Sequence, residues 1–563
     1  MMKRVFHLVT REQKGVLGAA LMLAFISVLN ALLALYRDRL LAGAYGGSSD
    51  LDMYFAAFRV PDFLFAIGLL FVATTAFIPV FTERHARGVG EGRDLMNAVL
   101  TVFLLLFGIV TALAAFTMPV LTKITVPGFS PDAQAQVTTL ARILLVSPLL
   151  LGVSNLVSGV IQASRRFFIF ALSPVVYNLG IIAGIIFLAP TYGIAGIAYG
   201  AVIGATLHLL VQVPTLVSLG FMPALRFHID RDVKKILTLS FPRTLALSFH
   251  QLTFLLLVGV ASTAGEGAVS VYNLAFNLQG VPLLMIGLSF SVAMFPLLTS
   301  LAQSGDTGAF RDAYLSAVRH VLLWTVPATV LFITLRAHIV RVILGTGSFA
   351  WADTQLTAAS LMIFSFGIVA SSVMLMTARA YYATGRTREP VLYNFIGFLA
   401  VLMTIGVSWQ VLNFYPGIES RILRILDLEA FTGTRIYVLP LAFVVGQIVT
   451  ALLLVRRFAR EFGRRVLWEK LKDATVQIVA AGAVLGIVVL ALLKGLNEFA
   501  DPRTAGGVFV QGLLAGIGGA ISYFFALWVF GNNEVIEMFA ELRRVRTIET
   551  APQPAAEDMD PHV

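Results

Sequence analysis

The stretch FIFALSPVVYNLGIIAGIIFLAP, residues 168–190, decides the fold class of this chain. It carries no charged side chain, and it is long enough to cross a hydrocarbon core, which takes about 20 apolar residues per helix. The whole chain of 563 residues is 58% hydrophobic and only 13% charged. Because this composition is too apolar for a soluble globule, the sequence predicts an all-α polytopic membrane protein.

The same length criterion, applied along the chain, predicts about fourteen transmembrane helices. The predicted spans begin near Gly15, Ala56, Met96, Val137, Phe168, Gly193, Ile236, Val269, Ala317, Leu356, Val391, Tyr437, Thr475 and Val508. The loop after Val411 has an amphipathic pattern, which predicts a short interfacial helix between the eleventh and twelfth spans.

Basic residues collect in alternate loops, which predicts the orientation of the chain. These loops hold Arg84, Arg87 and Arg93; Arg165 and Arg166; Arg226, Arg231, Lys234 and Lys235; Arg386 and Arg388; and the stretch from Arg456 to Lys472. The excess of Lys and Arg on the cytoplasmic side of membrane proteins therefore places these loops and both termini in the cytoplasm. A nucleic-acid partner is not expected, because no soluble domain presents a basic patch.

An internal repeat predicts two lobes. The segment PVVYN at residues 174–178 recurs as PVLYN at residues 390–394, and each copy follows a basic turn and opens a span. Two pseudo-symmetric lobes of about six spans around a central cavity are expected from such a repeat. The predicted domains are an N-terminal lobe at 1–228, a C-terminal lobe at 229–460, two additional spans at 461–546 and a disordered tail at 547–563.

A cluster of charges around the first two spans is the strongest functional signal. The cluster consists of Arg37, Asp38, Arg39, Asp52, Arg59 and Asp62. Ionisable groups at membrane depth are costly unless they line a wet cavity or a substrate path. These residues therefore predict the first-lobe wall of a substrate cavity.

Several motifs in this region resemble the MurJ/MviN lipid II flippases of the multidrug/oligosaccharidyl-lipid/polysaccharide exporter superfamily. They are Arg37-Asp38, Gly46-Gly47, Asp52, the run from Ala57 to Asp62, and the run from Ala76 to Pro79. In the second lobe, residues 345–349 and 382–390 are similar to further family signatures. The resemblance implies alternating-access export of undecaprenyl-linked peptidoglycan precursor, lipid II, across the bacterial cytoplasmic membrane. It also implies that the two extra C-terminal helices form a groove for the lipid tail.

The resemblance implies that arginines of the cavity bind the substrate pyrophosphate, a task that suits the planar, always charged guanidinium. This chain departs from the family pattern at Ala31, Phe65 and Asn277, where arginines are expected, and at residues 70–72, where Leu-Phe-Val replaces Glu-Gly-Ala. We hypothesise that Arg243 and His250 compensate from the second lobe. The predicted substrate-binding residues are Arg37, Asp38, Asp52, Arg59, Arg243, His250, Asn273 and Asn277.

Each of these residues also has a structural interpretation. The triplet at residues 37–39 can anchor the end of the first helix at the membrane interface. Asp52 and Arg59, seven residues apart, can pair with each other. Arg243 can extend to lipid headgroups, and polar side chains such as His250, Asn273 and Asn277 often form hydrogen bonds between helices. The tyrosine and asparagine of each repeat are expected to pack within their own lobe.

Three functional hypotheses remain open: a lipid II flippase, an exporter of another polyprenyl-linked oligosaccharide or lipid, and a non-transporting membrane scaffold. An enzyme is not expected, because most outer loops are short and carboxylate-poor. No cofactor is expected, and the absence of a P-loop excludes an ATP-driven transporter. Membrane potential or a coupling ion is the expected energy source, with His208, His250 and His320 as candidates for proton coupling. The expected partners are a lipid-linked anionic precursor, membrane lipids and the cell-wall synthesis machinery, with the protein itself a monomer.

Overall fold

The computed structural model describes residues 16–72, 74–226, 228–431, 435–499, 501 and 504–538. Both chain termini and the predicted disordered tail lie outside these residues. The first lobe contains α1 (Val16–Tyr45), α2 (Ser49–Ala57), α3 (Arg59–Val72), α4 (Thr74–His85), α5 (Val89–Thr125), α6 (Pro131–Leu144), α7 (Val146–Ala163), α8 (Phe167–Ala183), α9 (Ala189–Tyr192), α10 (Ile194–Leu210) and α11 (Val213–Ser218). A π-helical segment, Gly184–Leu188, joins α8 to α9.

The second lobe contains α12 (Arg231–Ala261), α13 (Ala268–Pro282), α14 (Ser289–Ser304), α15 (Thr307–Thr334), α16 (Arg336–Leu344), α17 (Trp351–Ala383), α18 (Arg388–Phe414), α19 (Pro416–Ile425) and α20 (Val438–Phe462). A second π-helical segment, Leu283–Leu288, joins α13 to α14. The remaining helices, α21 (Arg464–Leu496) and α22 (Ala505–Val529), form what we call the extension. The predicted all-α membrane fold is confirmed. The predicted domain boundaries stay predictions.

Eleven helical segments within the described residues are long and apolar enough to cross a membrane. The three other predicted spans correspond to α1, to the run from α2 to α4, and to α12, whose apolar part is Ser248–Ala261. The second of these is not one continuous helix, because a turn at Phe58 separates α2 from α3. The count of fourteen spans therefore remains a prediction.

Close packing through glycine joins equivalent helix pairs in the two lobes. A methyl group on Gly180 of α8 would overlap the backbone of Gly204 on α10. On α18, a methyl group on Gly397 would lie 3.0 Å from the carbonyl oxygen of Gly446 on α20. Small residues let apolar helices approach within backbone contact, and this contact drives association where lipid offers no hydrophobic gain.

The extension is fixed to α15 of the second lobe. Arg319 of α15 forms an ion pair with Glu534, which follows the end of α22 and whose side chain is only 9% exposed. The Tyr523 hydroxyl donates a hydrogen bond to the Leu323 carbonyl oxygen over 2.7 Å. Because breaking a buried ion pair leaves an uncompensated charge, these contacts hold the extension to the second lobe.

Ion pairs join the lobes at the end of the bundle that carries most of the basic loops, which we call the basic end. Arg84 of α4 contacts Asp230 and, over 3.0 Å, Asp232, both at the start of α12. Partial burial raises the pKa of Asp230, but hydrogen bonds from the Val233 backbone and from Arg84 outweigh this effect. The pKa of Asp230 therefore lies below its usual value, which keeps the carboxylate ionised for Arg84.

The helix predicted in the loop after Val411 is present as α19. Close to it, the Arg435 guanidinium lies 4.9 Å from the ring centroid of Trp409, and Arg435 also pairs with Glu419 of α19 over 3.7 Å. The cation–π contact and the ion pair hold α19 against the ends of α18 and α20.

Candidate functional site

The lobes meet at a seam at the end opposite to the basic end. We call this end the glycine-rich end, because three glycine-containing turns meet there, at residues 46–47, 265–267 and 345–347. Gly267 adopts a left-handed backbone with φ of +79°, and a methyl group on it would overlap the Gly47 carbonyl oxygen. Only glycine satisfies both the conformation and the close approach at this point.

Asp52 of α2 is the most buried charged contact of this seam. Its carboxylate accepts hydrogen bonds from the backbone N–H groups of Gly267 and Ser270, each over 2.7 Å, and from the Ser270 hydroxyl over 2.5 Å. The side chain of a first-lobe residue therefore caps α13 of the second lobe. A carboxylate is favourable at a helix start because it satisfies N–H groups without intrahelical partners and complements the helix dipole.

Further hydrogen bonds extend the seam across the glycine-rich end. Arg39 of α1 donates to the carbonyl oxygens of Val342 and Ile343 at the end of α16, over 2.6 and 3.0 Å. Further seam hydrogen bonds include Ser348 N–H to Gly43 O (2.8 Å), Gly47 N–H to Asp353 Oδ2 (3.2 Å), and Ser49 N–H to Glu266 Oε1 (3.1 Å). The lobes are thus closed against each other at this end.

A polar cluster lies deeper between the lobes. Arg37, Asn277 and His250 stand about 12 to 17 Å along their helices from the glycine-rich end, at 1.5 Å of rise per residue. Arg37 donates from Nε and Nη2 to Asp38 Oδ1, over 3.0 and 2.7 Å. Asn277 of α13 donates to the other oxygen of Asp38 over 3.0 Å. Asp38, only 3% exposed, therefore connects the cation of the first lobe with the second lobe.

Two asparagines orient the other side of the Arg37 guanidinium. Arg37 Nη1 donates to Asn178 Oδ1 over 3.0 Å, and Asn178 Nδ2 donates to Asn30 Oδ1 over the same distance. A guanidinium has five N–H groups, and these contacts within the described residues use three of them. Arg37 is held in position, and two of its N–H groups have no hydrogen-bond partner among the described residues.

The Arg59 guanidinium is the second cation of the polar cluster. Its Nε donates to the Phe55 carbonyl oxygen over 3.0 Å, and its guanidinium lies 5.1 Å from the ring centroid of Phe254 on α12. Asp62 is 3.8 Å from Arg59, and its side chain is 41% exposed. A carboxylate this exposed between two lobes faces open space, so this part of the interface is a cavity.

His250 of α12 also faces open space. The residue is exposed although it lies in the middle of a long helix, with its ring centroid 6.0 Å from that of Phe254 and 6.3 Å from that of Phe443. Asn273 is buried and donates to the Val269 carbonyl oxygen of its own helix over 2.7 Å. The side chain of Arg243 lies outside the described part of the structure, so its predicted role stays a prediction.

The structure brings together most of the residues singled out in the sequence. Arg37, Asp38, Asn277 and Arg59 lie in or beside the cavity, whereas His250 lines a small pocket between α12, α18 and α20 of the second lobe, and Asp52 lies at the seam. The alternative pairing of Asp52 with Arg59 is wrong, because each has other partners. Whether these residues bind substrate remains a prediction.

Asn178 was missed as a candidate for this cluster. Its packing within the first lobe is as expected, since Asn30, Arg37 and the Pro174 carbonyl are its partners. In the second lobe, Asn394 donates to the Pro390 carbonyl over 2.7 Å, which mirrors the 3.3 Å bond from Asn178 to Pro174. The sequence did contain a signal for Asn178, because this residue is a polar side chain in the middle of an otherwise apolar span.

An all-helical membrane bundle with a charged cavity between two lobes, closed by a seam at one end, is the architecture of an alternating-access transporter. A family model described as "Lipid II flippase MurJ" matches residues 41–500. The chain belongs to the lipid II flippase MurJ family.

Curated relatives agree with this assignment along the chain. A "Probable lipid II flippase MurJ" of Rhizobium tropici is 26% identical over 543 residues, which cover 92% of this chain and 94% of the relative. A protein of the same description from Bdellovibrio bacteriovorus is 26% identical over 536 residues, covering 93% and 96%. The "Lipid II flippase MurJ" of Burkholderia cenocepacia is 24% identical over 383 residues, covering 66% and 74%.

Solved structures share the fold. One described as "Lipid II flippase MurJ, inward closed conformation" superposes with a TM-score of 0.71 at 21% identity, covering 92% of this chain and all of that one. An inward-facing multidrug resistance MATE family transporter of the MOP superfamily gives a TM-score of 0.61 at 18% identity, covering 78% of this chain and 96% of that one. The chain therefore has the fold of these transporters.

Proposed function

We propose that this chain translocates lipid II, the undecaprenyl-linked peptidoglycan precursor, from the inner to the outer leaflet of the bacterial cytoplasmic membrane. Membership of the flippase family supports this cargo. The observation that carries the proposal is the state of Arg37, which lies between the lobes, is oriented by Asp38 and Asn178, and retains donors for a pyrophosphate. On this proposal the protein is a transporter and not an enzyme.

The contacts between the lobes are consistent with alternating access, in which the cavity opens to one side of the membrane at a time. In the closed arrangement, Asp52 caps α13 and Asn277 holds Asp38. For cargo to leave at the glycine-rich end, the seam hydrogen bonds must break while the basic end closes. The Asp38–Asn277 bond then opens together with the seam, so that release of the seam changes the surroundings of Arg37.

The basic end is the cytoplasmic end in this proposal, with both termini in the cytoplasm and the glycine-rich end outside. The positive-inside rule supports this orientation, because the loops of the basic end hold most of the loop arginines and lysines. We further propose a monomer that delivers its cargo to the cell-wall synthesis machinery. Two complete lobes within one chain are consistent with a monomer.

Membrane potential is the proposed energy source. The potential is worth about 2.3 kcal/mol per elementary charge per 100 mV, which favours outward movement of an anionic headgroup. The seventh and eleventh predicted spans contain no Asp or Glu. Within the described residues, no group of three or more His, Asp or Glu side chains could hold a metal ion. No cofactor is included in the mechanism.

A second candidate cargo is another polyprenyl-linked oligosaccharide. Ala31, Phe65 and Asn277 stand where the family resemblance implies arginines, and both described cavity arginines already have carboxylate neighbours, Arg37 with Asp38 and Arg59 with Asp62. A cavity with fewer free cations suits a headgroup of lower charge. The charged lining of the cavity argues against the non-transporting scaffold.

Complementation tests the cargo. The full chain is expressed in a bacterium depleted of its own lipid II flippase, and growth and exposure of lipid II on the outer leaflet are followed. We expect growth and exposure to be restored to near the level given by the native flippase. A chain that reaches the membrane at a matched level yet restores neither would contradict lipid II as cargo and favour the other oligosaccharide.

Asn178→Ala is expected to slow lipid II translocation by about tenfold. The substitution removes one hydrogen bond to a charged group, a contact worth about 1.5–3 kcal/mol, and lets the Arg37 guanidinium turn away from the cavity. The rate is measured with the chain reconstituted in liposomes. Asn394→Ala, the repeat counterpart, is the matched control. Equal slowing in both variants would mean that Asn178 acts through packing alone.

A further inference from the structure

A groove at the basic end lies between α20 and α21, on the second lobe and the extension. Its volume is about 620 Å³. The residues that line this α20–α21 groove are Val455, Ala459, Arg464, Arg465, Leu467, Trp468 and Leu471. None of them belongs to the polar cluster between the lobes.

The groove lies in a segment with a strong excess of positive charge. Residues 456–472 contain seven basic and two acidic side chains. Of the two acids, Glu461 pairs with Arg386 over 2.5 Å and Glu469 with Arg465 over 2.8 Å. Within the described residues, Arg464 is exposed and has no carboxylate partner. The rim of the groove therefore offers Arg464 as a cation without a carboxylate partner. It also offers Arg465, whose pair with Glu469 is highly exposed and contributes little free energy, so this arginine can still donate to a second anion.

The floor of the groove is apolar. Val455 and Ala459 of α20 face Leu467 and Leu471 of α21 across it, and Leu467 is 3% exposed. The helix α21 continues into a stretch with a mean hydropathy of 2.7, which places the groove where a membrane span begins. Trp468, 66% exposed, stands at this boundary, where tryptophan is enriched in membrane proteins.

We propose that the α20–α21 groove binds one anionic phospholipid of the surrounding membrane, with its phosphate on Arg464 and Arg465 and an acyl chain along Val455, Ala459 and Leu471. Charge complementarity selects the headgroup, because a guanidinium donates paired hydrogen bonds to phosphate oxygens. The apolar floor selects a lipid over free phosphate. This site does not depend on the identity of the transported cargo.

Basic residues beside a span also set the orientation of the chain in the membrane. A test must therefore distinguish binding at this groove from the nonspecific attraction of anionic lipids to any basic residue. The chain offers a matched pair of double variants. Arg464→Gln with Arg465→Gln removes two cations from the groove, whereas Arg456→Gln with Arg457→Gln removes two exposed cations from the same segment that do not line it. The change in net charge is the same in both.

The binding experiment uses the purified full chain in a neutral detergent and native mass spectrometry. Phosphatidylglycerol and phosphatidylcholine with identical acyl chains are titrated separately, and glycerol 3-phosphate serves as the free phosphate. We expect one saturable phosphatidylglycerol site and at least about tenfold weaker binding of phosphatidylcholine. The groove variant should lose about tenfold or more in affinity, since each basic residue near an anionic surface is worth about 1 kcal/mol. The control variant should bind like the parent.

Three results would overturn the proposal: equal binding of the two lipids, equal losses in the two double variants, or saturation by glycerol 3-phosphate at the same concentration as the lipid. A further variant, Ala459→Trp, fills the floor and keeps both arginines. It should weaken lipid binding while leaving the melting temperature of the lipid-free protein unchanged. Unaltered lipid binding by a folded Ala459→Trp protein would also contradict the proposed acyl position.

Discussion

Arg37→Gln is expected to reduce lipid II translocation by about a hundredfold or more. On the proposed function, the substitution removes two hydrogen bonds from the Arg37 guanidinium to the pyrophosphate, and hydrogen bonds to charged groups contribute about 1.5–3 kcal/mol each. The substitution also leaves Asp38, which is buried, without its cation. The rate is measured in liposomes and compared with outer-leaflet exposure of lipid II in the complemented strain.

Two companion variants make this result specific. Arg37→Lys keeps the charge but loses the planar paired donors, so we expect it to recover only part of the activity. Arg421→Gln removes an exposed arginine of α19, and should transport like the parent. Parental transport by Arg37→Gln at a matched membrane level would rule out Arg37 as the pyrophosphate contact.

Asp52→Ala is expected to shift the resting equilibrium by about a hundredfold towards the state that is open at the glycine-rich end. Three short hydrogen bonds to the start of α13 are lost, and the donors of Gly267 and Ser270 remain unpaired when the seam is closed. A shift of about 2.7 kcal/mol gives this ratio and is smaller than the sum of three such bonds. Transport should fall as well, because alternating access requires both states.

Distances between spin labels measure this shift. The chain contains no cysteine, so labels can be attached to single cysteines introduced at exposed Asp132 of the first lobe and exposed Ser420 of the second. We expect one distance population in the parent and a second, longer one in Asp52→Ala. Asp50→Ala, which removes an exposed carboxylate two residues away, is the control. Identical distance distributions in the parent and in Asp52→Ala would show that Asp52 does not hold the seam.

The sequence predicted the membrane fold because hydrophobic length is a local property. A span such as residues 168–190 can be recognised from its own length and composition, without information about any other part of the chain. The family resemblance added the expectation that Arg37 faces a cavity. The break at Phe58 was not foreseen, because the second span was predicted to run on without interruption from Ala56, although Pro61 is a residue that helices tolerate in their first turn.

Partners within the site could not be predicted in the same way. Asp52 contacts Ser270, and Asp38 contacts Asn277, although more than two hundred residues separate each pair. Hydropathy and periodicity carry no information about which side chains meet across two lobes. For this reason Asp52 was interpreted as a substrate contact or a partner of Arg59, and its capping of α13 was not anticipated.

Backbone atoms form much of the seam at the glycine-rich end. The turn at Gly267 packs against the backbone of Gly47, and Ser348 N–H donates a hydrogen bond to the Gly43 carbonyl oxygen. Such a contact has few side-chain rotamers to freeze when it forms, so little conformational entropy is lost each time the lobes rejoin. The side chains that do cross the seam are chiefly Arg39, Asp52, Glu266 and Asp353, and each of them contacts backbone atoms of the other lobe. Few side chains must therefore be ordered again when the two faces rejoin, which favours a low barrier to closing.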